Sequence, residues 1–190
     1  MPVQRTRPLQ DYPQFSVYHY EGRREYRVEN WRLARDGSRR IIKSYGWTWF
    51  DLAVPVLVAV LWPKLTTRTH YIVLLISLAC YIYTKCTQIL WESVHAVPYM
   101  GIQLETHRGL PNIPLFVSRR FIPAIYLRDV IISEALRGWT VRYYLAAIQE
   151  EDGRTTLQVA YENILPYFPV LLHVYRDVHA VMFTPMDSPS

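Results

Sequence analysis

The sequence predicts an α+β membrane protein: a two-helix transmembrane hairpin, then a small antiparallel β-barrel or sheet capped by a C-terminal amphipathic helix. Three features of the 190 residues carry this expectation. Two apolar segments with aromatic ends lie between residues 45 and 91. Short β-rich runs separated by turn residues fill 92–165. Beyond Leu165 the apolar residues fall at helical spacings instead.

Residues 1–44 read as a basic, aromatic cytosolic arm without clear periodicity, with a short packed hairpin open to residues 9–31. Residues 1–46 hold ten basic and five acidic side chains, so they carry the whole net charge of +5. A basic patch points to nucleic acid or to an anionic membrane surface. The apolar segments that follow decide for the membrane and against nucleic acid.

The segment Tyr45–Trp62 has 18 residues, with Asp51 and Pro55 inside it, and Tyr71–Trp91 has 21, with Lys85 near its end. A bilayer core needs about 20 mostly apolar helical residues. Trp and Tyr at the ends match the belts that anchor helices at the headgroup level. Asp51, an ionisable group within such a segment, is a candidate polar contact in the membrane. Arg32, Arg35, Arg39, Arg40 and Lys43 precede the first segment, whereas Lys64 and Arg68 are the basic residues of the connecting loop. That bias places both flanks in the cytosol. No apolar stretch opens the chain, so the first segment is expected to serve as its own insertion signal.

Residues 92–183 read as a second, cytosolic unit, and 184–190 as a disordered tail. "ESVHAVPYMGIQLETHRG" alternates around Gly101 as a hairpin would. "WTVRYYLAAIQ" and "TTLQVAY" flank "EEDGR", with Asp-Gly in the loop. From Leu165, apolar residues at Tyr167, Val170, Leu171, Val174, Tyr175, Val178 and Met182 lie on one helical face, and Pro166 suits its first turn. Strands closed by one amphipathic helix are the build of pleckstrin-homology-like (PH-like) domains.

The sequence offers little chemistry. The seven glycines form neither GxGxxG nor GxxxxGK, and GxSxG and HExxH are missing. Cys80 and Cys86 lie about 9 Å apart along a helix axis, which suits neither a disulfide nor a zinc site. Asp129 and Glu134, five apart in a strand, point to opposite faces unless a bulge intervenes. A general acid/base pair needs convergent carboxylates. The expectation is therefore a chain that is not itself an enzyme, with no catalytic residues, metal or cofactor.

The order "ESVHAVPYMGIQLET", "FIP", "DVIISE", "VRYYL", "LP…LLHVY" resembles the PIG-H family. That family is the H subunit of the phosphatidylinositol N-acetylglucosaminyltransferase complex. The resemblance covers about residues 90–180. Gly101, Ile102, Gln103, Leu104, Glu105 and Thr106 match a GIQLET-like strand. Asp129, Ile132 and Glu134 match a D-V-V-I-N-E element, in which Ser133 replaces the usual Asn. Pro166 and Tyr175 match the closing helix. The resemblance implies an accessory subunit in the endoplasmic-reticulum membrane. Its implied partners are the PIG-A-type catalytic chain, other membrane subunits and the lipid bilayer, for the transfer of N-acetylglucosamine from UDP-N-acetylglucosamine to phosphatidylinositol. On it, Gly101, Ile102, Gln103, Glu105, Thr106, Asp129, Ile132, Glu134, Pro166 and Tyr175 are interface candidates. The alternative is a lipid-binding or scaffolding PH-like protein outside any transferase complex.

Overall fold

In the computed structural model, the described residues are 4–33, 41–44, 46, 48–64, 67–111 and 113–183. The expected tail 184–190, and Tyr45 and Trp47 of the expected aromatic belt, lie outside them.

The N-terminal region is strand, not a loose arm. It forms β1 (Gln4–Thr6), β2 (Phe15–Tyr20) and β3 (Arg23–Glu29), then a small ribbon of β4 (Trp31–Leu33) and β5 (Ile41–Lys43). Phe15, Val17, Tyr26 and Val28 are at most 2 % exposed. Burying an apolar side chain contributes about 1.5–3 kcal/mol. Four such anchors order a segment whose charge pattern alone argues for a loose chain.

The two-helix transmembrane hairpin is overturned, and with it the expected architecture of a hairpin followed by a PH-like unit. Among the described residues one helix is long and apolar enough to cross a membrane: α2 (Arg68–Cys86), none of it buried within the protein. The first apolar segment yields only α1 (Ala53–Leu61), flanked by single 3-10 turns at Trp49–Leu52 and Trp62–Lys64. Nine residues of α-helix rise about 13 Å, under half of a hydrocarbon core of about 30 Å. Proline sets the limits: Pro55 is tolerated only in the first turn, and Pro63 cannot continue the ladder.

After α2 come β6 (Ile89–Val97), β7 (Gly101–Leu110), β8 (Ile113–Pro123), β9 (Leu127–Arg137), β10 (Thr140–Glu151), β11 (Arg154–Ala160) and α3 (Phe168–Phe183). They build two separate antiparallel sheets, ordered β1-β2-β3-β6-β7-β8 and β11-β10-β9. The N-terminal hairpin thus completes the sheet of the later strands, with Tyr26 opposite Val94 and Val94 opposite Leu104. Alternation sets the layers. Glu92, Val94 and Ala96 of β6 face inward, and Trp91, Ser93 and His95 face out. The core lies between the inner faces of the sheets and α3, which contributes Val170, Leu171, Val174 and Val178, all fully buried. Pro166 lies two residues before α3 rather than in its first turn.

Gly101 opens β7 with φ 141°, and a Cβ there would stand 2.1 Å from the Ile122 carbonyl oxygen on β8. Gly101→Ala is expected to destabilise the protein by about 3 kcal/mol. Gly153→Ala meets open space at φ 74° and should cost only about 1 kcal/mol. Denaturant titration in detergent micelles compares the two, and equal losses would contradict the tight β7–β8 approach.

Candidate functional site

The outer face of the six-stranded sheet is polar and aromatic, and pairing aligns it in rows. Arg27, Ser93, Glu105 and Arg119 form one row across β3, β6, β7 and β8. Glu25, His95, Gln103 and Phe121 form the next. Glu105 sits at the centre. Its Oε1 accepts from Arg119 Nε at 2.9 Å and from Gln103 Nε2 at 2.5 Å. Its Oε2 lies 2.9 Å from His107 Nε2 and 3.4 Å from His95 Nε2. Glu25, 3 % exposed, accepts from Arg27 Nε at 2.7 Å and from the Tyr20 hydroxyl at 2.9 Å. The Arg27 guanidinium lies over Tyr18 and Trp91, 4.6 and 5.0 Å from the ring centres. Trp91 stacks on His107 at 4.5 Å and 18°.

These contacts fix charge. Burial pushes the His95 imidazole below its ordinary value, and the nearby Glu25 and Glu105 carboxylates offset this only in part. Burial pushes the Glu105 carboxyl up, but the His107 hydrogen bond, the charge of His95, and donation from Gln103 and Arg119 outweigh it and hold it below the ordinary carboxylate range. The buried Nδ1 atoms of His95 and His107 and the Trp91 Nε1 have no hydrogen-bond partner. Among the described residues no group of three or more His, Cys, Asp or Glu is arranged to hold a metal ion.

On the inner face, Glu92 is a buried lock. Only 2 % exposed, its carboxylate accepts from Thr106 Oγ1 at 3.1 Å, Asn163 Nδ2 at 2.6 Å, the Asn163 amide at 3.2 Å and the Ile164 amide at 3.0 Å. It ties β6, β7 and the turn leading to α3. Tyr161 holds the same turn from the other side, its hydroxyl donating to the Tyr26 carbonyl oxygen at 2.8 Å. Burial drives that phenol well above its ordinary range, so it stays a donor.

The sequence-predicted residues do not form one site. Gly101, Ile102, Gln103, Glu105 and Thr106 share β7, but the pleat sends Gln103 and Glu105 outward and Ile102 and Thr106 inward. Asp129 Oδ1 accepts from the Val130 amide at 2.7 Å and lies 3.7 Å from His179 Nε2 on α3. Glu134 is exposed and bonds Tyr143 across the β9–β10 pair. Ile132 and Tyr175 pack at the core's edge. Pro166 lines a cleft of about 380 Å³ together with Thr140 and Arg142. Asp51 sits apart from all of these, 2.7 Å from Lys85 Nζ, accepting from the Tyr81 hydroxyl at 2.6 Å and from Thr48. Sequence reasoning missed Glu25, Arg27, Trp91, His95 and Asn163. The alternation of β6 carried a signal for Trp91 and His95. Nothing local marked Asn163.

Three comparisons bear on what the two sheets belong to. A family model described as "GPI-GlcNAc transferase complex, PIG-H component" matches residues 93–162, from β6 to the turn beyond β11. A curated relative, phosphatidylinositol N-acetylglucosaminyltransferase subunit gpi15 of Schizosaccharomyces pombe, is 30 % identical over 86 residues. That alignment covers 45 % of this chain and 51 % of the relative, so the chain spans about half the relative's length. No solved structure matches. Both matches are to components of one kind of transferase complex. Over residues 93–162 the chain is similar to the PIG-H family.

Two outcomes follow from the geometry. Glu92→Ala leaves the Asn163 and Ile164 amides without their acceptor and is expected to destabilise by about 3 kcal/mol, and Glu92→Gln by about half as much. Denaturant titration reads this, and a loss near zero for Glu92→Ala would show the lock idle. Because His95 is harder to protonate folded than unfolded, its contribution is complete above its unfolded value near 6.5 and lost as pH falls through the lower folded value. His95→Gln should therefore flatten the decline in melting temperature between about pH 7.5 and about pH 5.5. An unchanged slope would place the titration elsewhere.

Proposed function

We propose that this chain is a non-catalytic subunit of the complex that transfers N-acetylglucosamine from UDP-N-acetylglucosamine to phosphatidylinositol, the first step of GPI-anchor synthesis. It acts at the cytosolic face of the endoplasmic-reticulum membrane and holds a PIG-A-type catalytic chain beside the bilayer. The observation that carries this reading is the mounting of the family-matched sheet directly on an apolar segment. The Gly46 amide donates to Gln88 Oε1 at 2.7 Å, so the segment 46–88 leaves the sheet and returns to it at one point. Gly109 N donates to the Gln88 carbonyl oxygen at 2.8 Å, and Asn30 Nδ2 to that of Ile89 at 2.8 Å. α2, the one helix among the described residues long and apolar enough to cross a membrane, thus stands with its C-terminal end at the sheet. The two sheets then stand at the cytosolic surface, at the C-terminal end of α2. The polar outer face of the six-stranded sheet, with Arg119 exposed on it, is the seat for a partner chain, and Asp129 and Glu134 add separate contacts on the smaller sheet.

The test is recovery of the tagged chain in mild detergent, with radiolabelled transfer measured on the co-purified material and on the chain alone. Activity is expected in the former and not in the latter. Asp129→Ala with Glu134→Ala should lower recovery of the partner about five-fold and leave transfer per recovered complex unchanged. Full assembly with lost turnover would overturn the non-catalytic reading. Absence of a co-purifying transferase would favour a lipid-binding role outside any complex.

A further inference from the structure

From the geometry we infer a membrane-contacting foot on the chain itself: the β9–β10 tip and the β7–β8 turn rest in the headgroup layer of an anionic bilayer. Trp139 is fully exposed at 103 %, Leu136 is 79 % exposed, and Ile113 is 56 % exposed. Trp139 sits at the second position of a two-residue turn whose first residue, Gly138, has φ 62°. The turn holds the indole away from every other element.

Position selects the occupant. The cleft beneath the tip is lined by Thr140 and Arg142 on one side and by Asn30 and Ser44 on the other. Ser44 N donates to the Asn30 carbonyl oxygen, and Asn30 is bonded to Ile89, three residues after α2 ends. The β7–β8 turn is at the same place, because a Cβ on Gly46 would stand 3.7 Å from Pro111. Both exposed apolar points therefore lie at the end of the sheets from which the apolar helix emerges. Trp at the edge of a bilayer is the expected interfacial anchor.

Charge gives the same direction. Arg142 lies near the tip end of β10, and Glu150, paired with Arg128, lies with Glu151 and Asp152 at its far end, about 26–33 Å away. A negative surface attracts the first end and repels the second. The foot rests on the reading that the apolar segment is embedded, and the experiment separates the two.

The full chain, with Cys80 and Cys86 changed to Ser, is placed in nanodiscs of phosphatidylcholine with about one-third phosphatidylserine. It carries one nitrobenzoxadiazole-labelled cysteine at a time: Ser77→Cys in mid-α2, Leu136→Cys at the tip, or Arg154→Cys at the far end. Lipids spin-labelled near the headgroup or deep in the acyl chain report depth. The expected result is deep quenching at 77, shallow quenching at 136 and none at 154. Adding Trp139→Ser to the Leu136→Cys chain should at least halve the quenching, and so should omitting phosphatidylserine. Quenching at 77 without quenching at 136 overturns the foot and leaves the tip to a protein partner. No quenching at 77 overturns the embedding, and the foot with it. Quenching at 136 that ignores Trp139 removes the anchor assigned here.

Discussion

A carboxylate that water scarcely reaches holds this fold in register. Glu92 stands in a strand whose other inward residues are Val94 and Ala96, where an unpaired charge would cost several kcal/mol. It persists because Thr106 and the turn at Asn163 and Ile164 surround it with donors. The turn, in turn, gives its Asn163 and Ile164 amides to that carboxylate. Tyr161 and Leu165, which flank it, adopt positive φ of 55° and 46°, conformations that cost about 1 kcal/mol or more without glycine. The lock therefore does more than join two strands. It sets the point at which the chain leaves β11 and turns back as α3, and so decides how the smaller sheet and the helix close over the larger one.

The later strands were legible in the sequence because their signals are local. Gly101 between two alternating runs and Asp-Gly after a β-rich run specify hairpins within about ten residues. α3 was legible through Val170, Val174 and Val178, which repeat at four-residue spacing. A short hairpin was open to residues 9–31, where β2 and β3 pair, but its place in the sheet was hidden because that pairing is remote: β3 finds its partner β6 some 65 residues later, and its inward Tyr26 and Val28 alternate with Glu25, Arg27 and Glu29. Charges at that density read as a solvated arm. They are accommodated on the sheet's outer face, stacked on Tyr18, Tyr20 and Trp91. The first apolar segment was overread for the opposite reason. Its composition and aromatic ends suit a span, but prolines at 55 and 63 leave room for only nine residues of regular helix.

The candidate site shows a similar division. Gln103 and Glu105 lay in a run whose matching residues could be named, and the period of two already implies that Thr106 serves the other face. What could not be read is which outward residues converge on Glu105, because Arg119 and His95 reach it only through strand register. Asp129 and Glu134 illustrate the limit in reverse. They are conspicuous in the sequence and stay separate in space, one beside His179 and the other beside Tyr143.

The basic excess now has a physical place. Two of the ten basic side chains of residues 1–46 are paired on the sheet: Arg5 bonds Ser16 and Glu29, and Arg27 bonds Glu25. Within the apolar segment, Asp51 and Lys85 neutralise each other, and Tyr81 and Thr48 take further lone pairs. Pairing matters there, because an isolated charge is costly to hold in hydrocarbon. It also joins the start of the segment to the end of α2, a few residues from the Gly46–Gln88 bond. Two closures, one ionic and one through an amide, thus tie the two ends of the apolar segment to each other, and the Gly109 amide on β7 ties Gln88 to the family-matched sheet. A base clamped twice cannot swing freely, so the orientation of the polar face relative to α2 is a property of the fold itself.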